Sequence, residues 1–367
     1  MERICGGGIM KIEAAVIRGD GVGPEMMEPA VEILQTVSSQ FGHTLNLSYV
    51  PACSESIERC YHPLPQKSLE VCQSLPAVLF GNSGLLKYRN LPLEKRPEAA
   101  LLGLRKGMGV TTNLRPVTYY PALSAFSPLK EAVLKRGLDF VFVRDIVGGV
   151  FCSDKVRRSG INGQEAFEYE YYNEKIVMDT AQIAFSLAQN RKRKVTNLDK
   201  SNVLESSRLW RNMVERIAAD YPEIQLKHDY IDHAAMQILA EPEAFDVIVT
   251  SNLFGDIISD EGTQMTGTPY MYASAEINRD GRGIYTPNQL HHPDESVIGK
   301  QVVNPIGMIL AAALMLRFTF KLEKEANIIE QAVQKVIEEG FATRDIWTEG
   351  KRLVSTKEMG QQIKAHI

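Results

Sequence analysis

The stretch KIEAAVIRGDGVGPEMMEPAVEIL (11–34) joins a short apolar run to a helical pattern through a glycine-rich turn. Residues 11–18 are mostly small, apolar or β-branched, which favours a β-strand. Residues 19–23 break the run, and Pro24 opens a segment in which apolar residues recur at helical spacing through Leu34. The stretch therefore predicts a strand, a tight turn and a helix.

Similar apolar runs recur along the chain next to stretches with helical periodicity. They fall at 77–80, 139–144, 194–197 and 246–250. Short apolar runs that alternate with helices are typical of an α/β fold with a largely parallel sheet. The chain has 367 residues. Because one hydrophobic core rarely serves more than about 250 to 300 residues, two lobes are expected.

The composition excludes several functional classes. Lys and Arg number 41 against 45 Asp and Glu, a balance that favours neither nucleic acid nor an anionic membrane as a partner. The longest apolar stretch, 308–316, is shorter than the roughly 20 residues needed to cross a bilayer. The five cysteines are scattered without C-x-x-C spacing, which indicates a reducing, cytoplasmic compartment.

The segment 152–172 departs from the alternation of strands and helices. Aromatic residues at 167, 169, 171 and 172 stand among charges, and a glycine turn at 160–163 lies in the middle. This pattern predicts a β-hairpin arm. Because such an arm has no core of its own, we expect it to dock on another surface, such as a second subunit.

Three arginines lie in strand, turn or helix-end contexts: Arg105 in LLGLRKG, Arg115 in TTNLRPV and Arg144 in FVFVRDIVGG. An arginine that ends an apolar run is costly to bury unless it meets an anion, and its planar guanidinium matches a carboxylate bidentately. A structural ion pair explains each one alone equally well. Together they suit a ligand with more than one carboxylate.

The stretch DVIVTSNLFGDIISD (246–260) combines a buried strand with the start of a helix. Asp256 and Asp260 are four residues apart and therefore share one helical face. Two such carboxylates either point to water or hold a cation, and carboxylate oxygens favour Mg²⁺ or Mn²⁺ over zinc. A third acid, Asp232, also stands where a strand-like run becomes a helix, and it would complete a site.

Two further features have both a chemical and a structural interpretation. Lys200 in NLDKSNVLE follows a predicted strand, where an amine near a metal can serve as a base; an ordinary surface lysine is the alternative. The turn 19–23 has G-x-G-x-G spacing. It either contacts the phosphates of a dinucleotide or is an ordinary turn after a strand, and the second interpretation is favoured for the motif alone.

Six motifs in order resemble the β-decarboxylating dehydrogenases, the family of isopropylmalate, isocitrate, tartrate and D-malate dehydrogenases. The motifs are GDGVGPE (19–25), LRKGMGVTTNLRPV (104–117), VRDIVGG (143–149), LDKSNVLESSRLWR (198–211), DHAAM (232–236) and DVIVTSNLFGDIISDEG (246–262). They cover nearly the whole chain, and six ordered motifs are far more specific than any one of them.

The resemblance implies a two-lobed, doubly wound α/β fold that is distinct from the Rossmann fold. One lobe would comprise 1–110 and 267–367, with the termini and the cofactor side. The other would comprise 111–266, with the metal site and the hairpin arm. The resemblance also implies a homodimer in which each active site takes residues from both subunits, and a place in leucine biosynthesis.

The same resemblance assigns roles to the candidate residues. The two carboxylates of a malate-type substrate would be held by Arg105, Arg115 and Arg144. The pocket wall would be apolar, formed by Leu101, Leu102 and Val203, and an alkyl group such as isopropyl fits it better than the third carboxylate of isocitrate.

Metal binding and catalysis are assigned to the acids and the lysine. Asp256 and Asp260, with Asp232 of the partner subunit, would hold Mg²⁺ or Mn²⁺, which would acidify the substrate hydroxyl and stabilise enolate charge. Lys200 of the partner subunit would take the hydroxyl proton while hydride leaves C2 for the nicotinamide.

The resemblance further implies a nicotinamide cofactor, with NAD favoured and NADP as the alternative. Its contacts would fall on Val22, Glu98, Asn202, Thr286, His291, Ser296 and Asn304. The loop 285–300 departs from the family pattern. Thr286 stands for a glutamate near the nicotinamide, and Ser296 stands for the aspartate that binds the ribose in NAD-specific members.

A second departure from the family is Phe151, in GGVF where the family has G-G-x-Y. The family's tyrosine donates a proton to the enol after carbon dioxide leaves, and phenylalanine has no proton to give. The sequence does not identify a replacement.

These observations favour a metal-dependent enzyme that oxidises and decarboxylates a 3-substituted malate such as 3-isopropylmalate or a related alkyl or aryl malate. The alternative, motivated by Phe151 and the altered loop, is a non-catalytic or specialised pathway paralogue that binds a malate-type ligand with weak or no dehydrogenase activity. A metal-dependent hydrolase is disfavoured because nothing beyond the carboxylates suggests one.

Overall fold

The computed structural model describes residues 8–287 and 295–367. The strands are β1 (Lys11–Gly19), β2 (Thr44–Tyr49), β3 (Ala77–Asn82), β4 (Thr112–Thr118), β5 (Asp139–Asp145), β6 (Val156–Gly160), β7 (Gly163–Phe167), β8 (Lys194–Asp199), β9 (Gln225–Tyr230), β10 (Val247–Thr250), β11 (Ala273–Ile277), β12 (Gly283–Pro287), β13 (Phe341–Ala342) and β14 (Arg352–Leu353). The helices are α1 (Gly23–Gln40), α2 (Cys53–Cys60), α3 (Gln66–Ser74), α4 (Ala99–Met108), α5 (Glu131–Leu134), α6 (Glu174–Gln189), α7 (Glu205–Ala218), α8 (Ile231–Ala240), α9 (Asn252–Gln264), α10 (Ile306–Phe318), α11 (Glu323–Glu338) and α12 (Thr356–Lys364).

The described chain divides into two compact units. Unit 1 comprises residues up to Val110 together with Tyr270–Ala275 and Asp280–Ile367, and unit 2 comprises Thr111–Pro269 and Glu276–Arg279. Strands alternate with helices in both, which confirms the predicted α/β fold. The lobe limits expected from the resemblance stay a prediction.

Unit 1 contains the strand order β2-β1-β3-β12-β11, in which β1 is parallel to β2 and β3, and β3 is parallel to β12. Every residue of β3 is buried, as expected for a central strand covered on both faces. The helix α10 is buried along almost its whole length because nearly all its residues are apolar or small.

Unit 2 contains the strand order β4-β5-β10-β8-β9. β4 is antiparallel to β5, whereas β5, β10, β8 and β9 run parallel to one another. The carboxyl ends of these four parallel strands therefore lie at one edge of the sheet, where α/β folds place their ligands. Its core has a cluster around Phe140, Phe142, Phe245 and Ile248.

The predicted arm forms the antiparallel hairpin β6–β7. The Arg158 guanidinium lies over the Phe167 ring, 5.3 Å from the ring centre, and it also pairs with Glu165 at 2.9 Å. Ile161 at the turn is 98% exposed. The hairpin therefore has local side-chain contacts and an apolar tip that faces solvent in the single chain.

No helix in the described part of the chain is long and apolar enough to cross a membrane. Cys53, Cys60, Cys72 and Cys152 are free thiols.

Candidate active site

Arg144 ends β5, and the first turn of α9 surrounds its side chain. Asn252 Oδ1 accepts hydrogen bonds from its Nε at 3.1 Å and its Nη2 at 2.8 Å, while Nη1 pairs with Asp256. A Cβ at Gly255 would lie 2.7 Å from Arg144 Cγ. Asn252, Gly255 and Asp256 share one helical face because they are three and four residues apart. The sequence of this turn therefore forms a cradle for the guanidinium, which we call the Arg144 cradle.

Arg115 on β4 is held against the next turn of the same helix. Its Nε donates to Asn113 Oδ1 at 3.1 Å, and its Nη1 donates to Ser259 Oγ and Asp260 Oδ1, both at 2.7 Å. The Arg115 side chain is only 15% exposed, whereas that of Asp260 is 72% exposed. Two arginines and two aspartates thus form a charged group along one face of α9.

The aspartates of α9 have the donor chemistry that Mg²⁺ or Mn²⁺ prefers, because both offer carboxylate oxygens and both remain accessible. Within residues 8–287 and 295–367, however, no three acidic, histidine or cysteine side chains come together as a metal-binding group. Asp256 and Asp260 thus supply two accessible carboxylates.

Lys200 and Asp232 form a separate pair at the same edge of the unit 2 sheet. Lys200 follows β8, Asp232 lies in the first turn of α8 after β9, and their Nζ and Oδ1 atoms are 2.5 Å apart. The adjacent ammonium lowers the pKa of Asp232. The two side chains are 24% and 65% exposed, so the pair is open to solvent in the single chain.

The backbone beside Lys200 is firmly anchored. Asp199 is buried and accepts two hydrogen bonds from Arg211, at 2.8 and 2.9 Å, and one from the Ser201 N–H at 2.9 Å. Arg211 also lies over the Tyr230 ring at 5.4 Å. These contacts fix where the lysine emerges and leave its amine accessible.

The candidate residues of unit 1 include Arg105, which is half-buried in the last turn of α4. On the same helix Leu101 is buried in the core, whereas Leu102 is 60% exposed. In unit 2, Val203 is 62% exposed. Leu102 and Val203 thus offer accessible apolar surface, and Leu101 contributes chiefly to packing.

The glycine-rich turn after β1 has a clear structural cause. A Cβ at Gly19 would collide with the backbone of Asn82, and one at Gly23 would collide with that of Arg18. Asp20 is buried and accepts from the Ser54 and Gly84 N–H groups, both at 2.9 Å. Burial raises the pKa of Asp20. The motif therefore serves close backbone packing, and Val22 is buried beside it.

Two of the predicted cofactor residues carry buried oxygens without a partner in the described residues. These are Glu98 Oε2, at the start of α4, and Thr286 Oγ1, near the carboxyl end of β12. Buried polar atoms normally have hydrogen-bond partners. Such orphaned oxygens fit a ligand with hydroxyl or amide donors, as a nicotinamide riboside has.

The other predicted cofactor residues differ in their surroundings. Asn304 uses its amide internally, accepting from the Ile306 N–H at 3.0 Å and donating to Asp345 at 3.1 Å. Asn202 and Ser296 are exposed, and His291 lies outside the described residues.

Phe151 lies beside the cradle, with its ring centre 5.9 Å from the Arg144 guanidinium and 43% of its surface exposed.

Sequence reasoning did not single out Asn252, Gly255 or Ser259. Asn252 and Gly255 stand four and one residues before Asp256, and Ser259 stands three residues after it. This spacing could have identified them, because it places all of them on one face of α9.

Comparisons with known proteins identify the family of the chain. Residues 13–363 match the family model for isocitrate/isopropylmalate dehydrogenase. The chain is 43% identical over 357 residues to the 3-isopropylmalate dehydrogenase of Clostridium acetobutylicum, covering 97% of this chain and 99% of the relative. It is 44% identical over 355 residues to that of Haemophilus influenzae, covering 96% and 98%. The structure resembles that of isocitrate dehydrogenase from Methylococcus capsulatus, with a TM-score of 0.83 and 25% identity over 97% of this chain and 99% of the other.

The fold, the site and these relatives together define a dehydrogenase of the decarboxylating class. The chain belongs to the isocitrate/isopropylmalate dehydrogenase family, which confirms the resemblance seen in its six motifs.

Proposed function

We propose that this enzyme oxidises and decarboxylates a 3-substituted malate, with 3-isopropylmalate as the first candidate and NAD(P) as the oxidant. The observation that carries the proposal is the pairing of Arg144 with Asp256 and of Arg115 with Asp260 along one face of α9. Such a group offers cations for substrate carboxylates and carboxylates for a divalent cation at one place. The 3-isopropylmalate dehydrogenases among its relatives support this choice of substrate.

Substrate recognition would rest on charge at one end and apolar surface at the other. The arginines, including Arg105, would bind the two carboxylates. Leu102 and Val203 would contact the 3-substituent, since both are exposed apolar side chains. An apolar wall offers no partner for a third carboxylate, and burying one unpaired is costly.

The metal would be held by Asp256 and Asp260 of one subunit and by Asp232 of the partner subunit. When bound, Mg²⁺ or Mn²⁺ would lower the pKa of the substrate hydroxyl and stabilise negative charge on its oxygen. The arginines that now neutralise the two acids are the residues proposed to bind substrate, so metal and substrate would together satisfy the same charged group.

The nicotinamide cofactor would lie against unit 1, where Glu98 and Thr286 carry unpartnered oxygens. When bound, it would accept hydride from C2 of the substrate. NAD is favoured, because Ser296 offers no positive charge for the 2′-phosphate of NADP.

Lys200 would remove the proton from the C2 hydroxyl. Its anchored backbone and accessible amine suit a base that must reach a substrate. Asp232 accepts its hydrogen bond and would hold the amine in place until substrate binds.

A second copy of the chain is proposed as the only protein partner. Met236 and Leu239 on α8 and Ile257 on α9 are 66%, 41% and 64% exposed, an apolar face beside both charged groups. Covering this face with its own counterpart would bury it and bring the lysine pair of one copy to the aspartates of the other. The free thiols are consistent with the reducing cytoplasm as the compartment.

The first experiment follows NAD(P)H absorbance with Mn²⁺, NAD or NADP, and a panel of 3-isopropylmalate, D-malate, tartrate and isocitrate. Turnover with 3-isopropylmalate and NAD is expected. If no NAD(P)H forms with any substrate at high protein concentration, the proposal is rejected and the alternative of a ligand-binding paralogue is favoured. Phe151 is the residue that specifically suggests this alternative.

Shared active sites can be tested by mixing two inactive variants, Lys200→Ala and Asp256→Asn. After unfolding and refolding together, a mixed dimer would contain one intact site, so about a quarter of wild-type activity is expected. Each variant refolded alone serves as the control. If the mixture stays as inactive as its components, while wild type refolded the same way recovers, each site is built from one chain.

A further inference from the structure

We propose that Asn252 is a positioning residue that fixes the substrate-binding guanidinium of Arg144, and that Tyr172 and Asp145 fix Asn252 in turn. The inference rests on the proposed function in one respect, since it takes Arg144 as a residue that binds a substrate carboxylate. All four residues belong to unit 2.

Asn252 binds one edge of the Arg144 guanidinium, the edge that carries Nε and Nη2. Its Oδ1 accepts from Nε and Nη2 of the guanidinium, and its Nδ2 donates to the Gly148 carbonyl at 2.9 Å. Asn252 is 2% exposed, so water does not compete well for these bonds. The amide thereby sets the plane of the guanidinium and leaves Nη1 to face Asp256.

Tyr172 supports the backbone of Asn252. Its hydroxyl oxygen accepts from the Asn252 N–H at 2.9 Å, and its proton is donated to the Asp145 carboxylate. Asp145 is fully buried and also accepts from the Gly148 N–H at 2.8 Å. Donation along these contacts thus runs from the Asn252 N–H to the Tyr172 hydroxyl, and from that hydroxyl to the Asp145 carboxylate.

The glycines of the VRDIVGG motif make this arrangement possible. A Cβ at Gly148 would collide with the Tyr172 ring, and one at Gly149, where φ is +74°, would lie 2.8 Å from the Tyr172 hydroxyl. Tyr172 also packs edge-on against the buried Trp210 at 5.3 Å. The tyrosine is therefore locked by packing as well as by its hydrogen bonds.

A neutral amide suits this position better than a carboxylate. It orients Arg144 without cancelling the positive charge that a substrate carboxylate needs, and it does not repel Asp256 on the following turn. Asn252→Asp would keep an acceptor for Arg144 but add a competing anion. Asn252→Ala would remove the acceptor altogether.

The test compares Asn252→Ala, Asn252→Asp and Tyr172→Phe with two matched controls on the surface of unit 2. Gln189→Ala removes an amide that pairs with Glu223, and Tyr221→Phe removes a hydroxyl that contacts Ser186. Three quantities are measured: the KM and the kcat for 3-isopropylmalate, and the exchange rate of the Arg144 Nε–H proton in ¹⁵N–¹H spectra, with the peak assigned through Arg144→Lys.

Asn252→Ala is expected to raise KM about tenfold with little change in kcat, since a hydrogen bond to a charged group contributes on this scale and acts on binding. It should also accelerate exchange at Arg144 Nε. Asn252→Asp should raise KM but preserve slow exchange. Tyr172→Phe should give a smaller change of the same kind, and the controls should match wild type.

Unchanged Nε–H exchange and an unchanged KM in Asn252→Ala would overturn the inference, as would equal changes in the control variants. The exchange measurement needs no substrate. If wild type turns over no malate but Asn252→Ala still accelerates exchange, the positioning role stands and the proposed function fails.

Discussion

The Arg144 cradle and the Lys200–Asp232 pair lie at the same edge of the unit 2 sheet but are constructed differently. The Arg144 side chain is 9% exposed and is contacted by an amide, a carboxylate and a helix glycine. The Lys200 and Asp232 side chains are 24% and 65% exposed; besides the hydrogen bond between them, the Lys200 amine lies 5.7 Å from the centre of the Tyr230 ring. The arginine proposed to bind a carboxylate is thus enclosed by its contacts, whereas the proposed base is more exposed.

One edge of a sheet can thus carry both a group that needs a fixed orientation and a group that needs access to a substrate. Orientation of a fixed charge requires many contacts, because each unmade bond to a buried guanidinium is costly. Proton transfer requires reach, and an anchored backbone with an accessible side chain provides it. The following four changes test this contrast.

The largest effect is expected at Lys200. Lys200→Ala should lower kcat by about 10²- to 10⁴-fold, the range that general bases contribute, while the Kd for 3-isopropylmalate changes little. Stopped-flow and steady-state NADH absorbance would measure the rate, and calorimetry the binding. Lys135→Ala, which removes an exposed pair with Glu131, is the control. Retained turnover would show that another group takes the proton.

The next effect concerns Asp145, the buried carboxyl group that follows Arg144 in the sequence. Burial raises the pKa of Asp145 from 3.8 to about 6, opposed by hydrogen bonds from Gly148, Val147 and Tyr172 and by the nearby Arg144. The folded state therefore binds this proton more tightly than the unfolded state, so the stability contributed by Asp145 is greatest below about pH 4 and is lost as the pH rises through about 6.

Asp145→Asn abolishes that titration. Between about pH 4 and pH 7 the free energy of unfolding of wild type should fall relative to the variant by roughly 2 to 3 kcal/mol. Urea denaturation at intervals across this range would measure it. A wild-type minus variant difference that is constant with pH would contradict the prediction, whatever its absolute size.

A third change crowds the cradle. In Gly255→Ala the new Cβ would lie 2.7 Å from Arg144 Cγ and 3.0 Å from Thr250 Cγ2. Overpacking of this kind costs about 1 to 3 kcal/mol, so the Tm should fall by several degrees and the KM for the malate should rise as Arg144 moves. Calorimetry and kinetics would detect both. An unchanged KM would mean that the guanidinium does not depend on this contact.

The smallest effect is expected at Phe151, beside the Arg144 cradle. Phe151→Tyr should raise kcat by only about two- to fivefold, because the ring is 43% exposed and water can also protonate an enol there. Phe151→Leu is the matched control without a hydroxyl. If both variants behave alike, proton delivery does not limit turnover.

The sequence was most informative where local pattern and chemistry coincided. Strand–turn–helix punctuation predicted β1 and α1, and the four-residue spacing placed Asp256 and Asp260 on one face of a helix, as the structure has them. Both follow from fixed backbone periodicities.

Pairwise contacts across the sheet were beyond such reasoning. That Asn252 rather than water meets Arg144 depends on β5 lying beside β10, with residues 144 and 250 in register. Likewise, Asp20 was interpreted as part of a possible phosphate-binding turn, yet its carboxylate connects the first turn of α2 with the loop after β3. Neither partner is visible from spacing along the chain, because each is set by tertiary neighbours.

The chain connectivity of the two units has a consequence for synthesis on the ribosome. Unit 2 is almost continuous, Thr111–Pro269, whereas β3 of unit 1 must wait for β12, which pairs with it from about 200 residues further along. Unit 2, in the middle of the polypeptide, can therefore complete its structure before unit 1 does, while β3 still lacks its neighbour β12. A polypeptide truncated after residue 280 and free of the ribosome should show a protease-resistant unit 2 and a more sensitive amino-terminal segment.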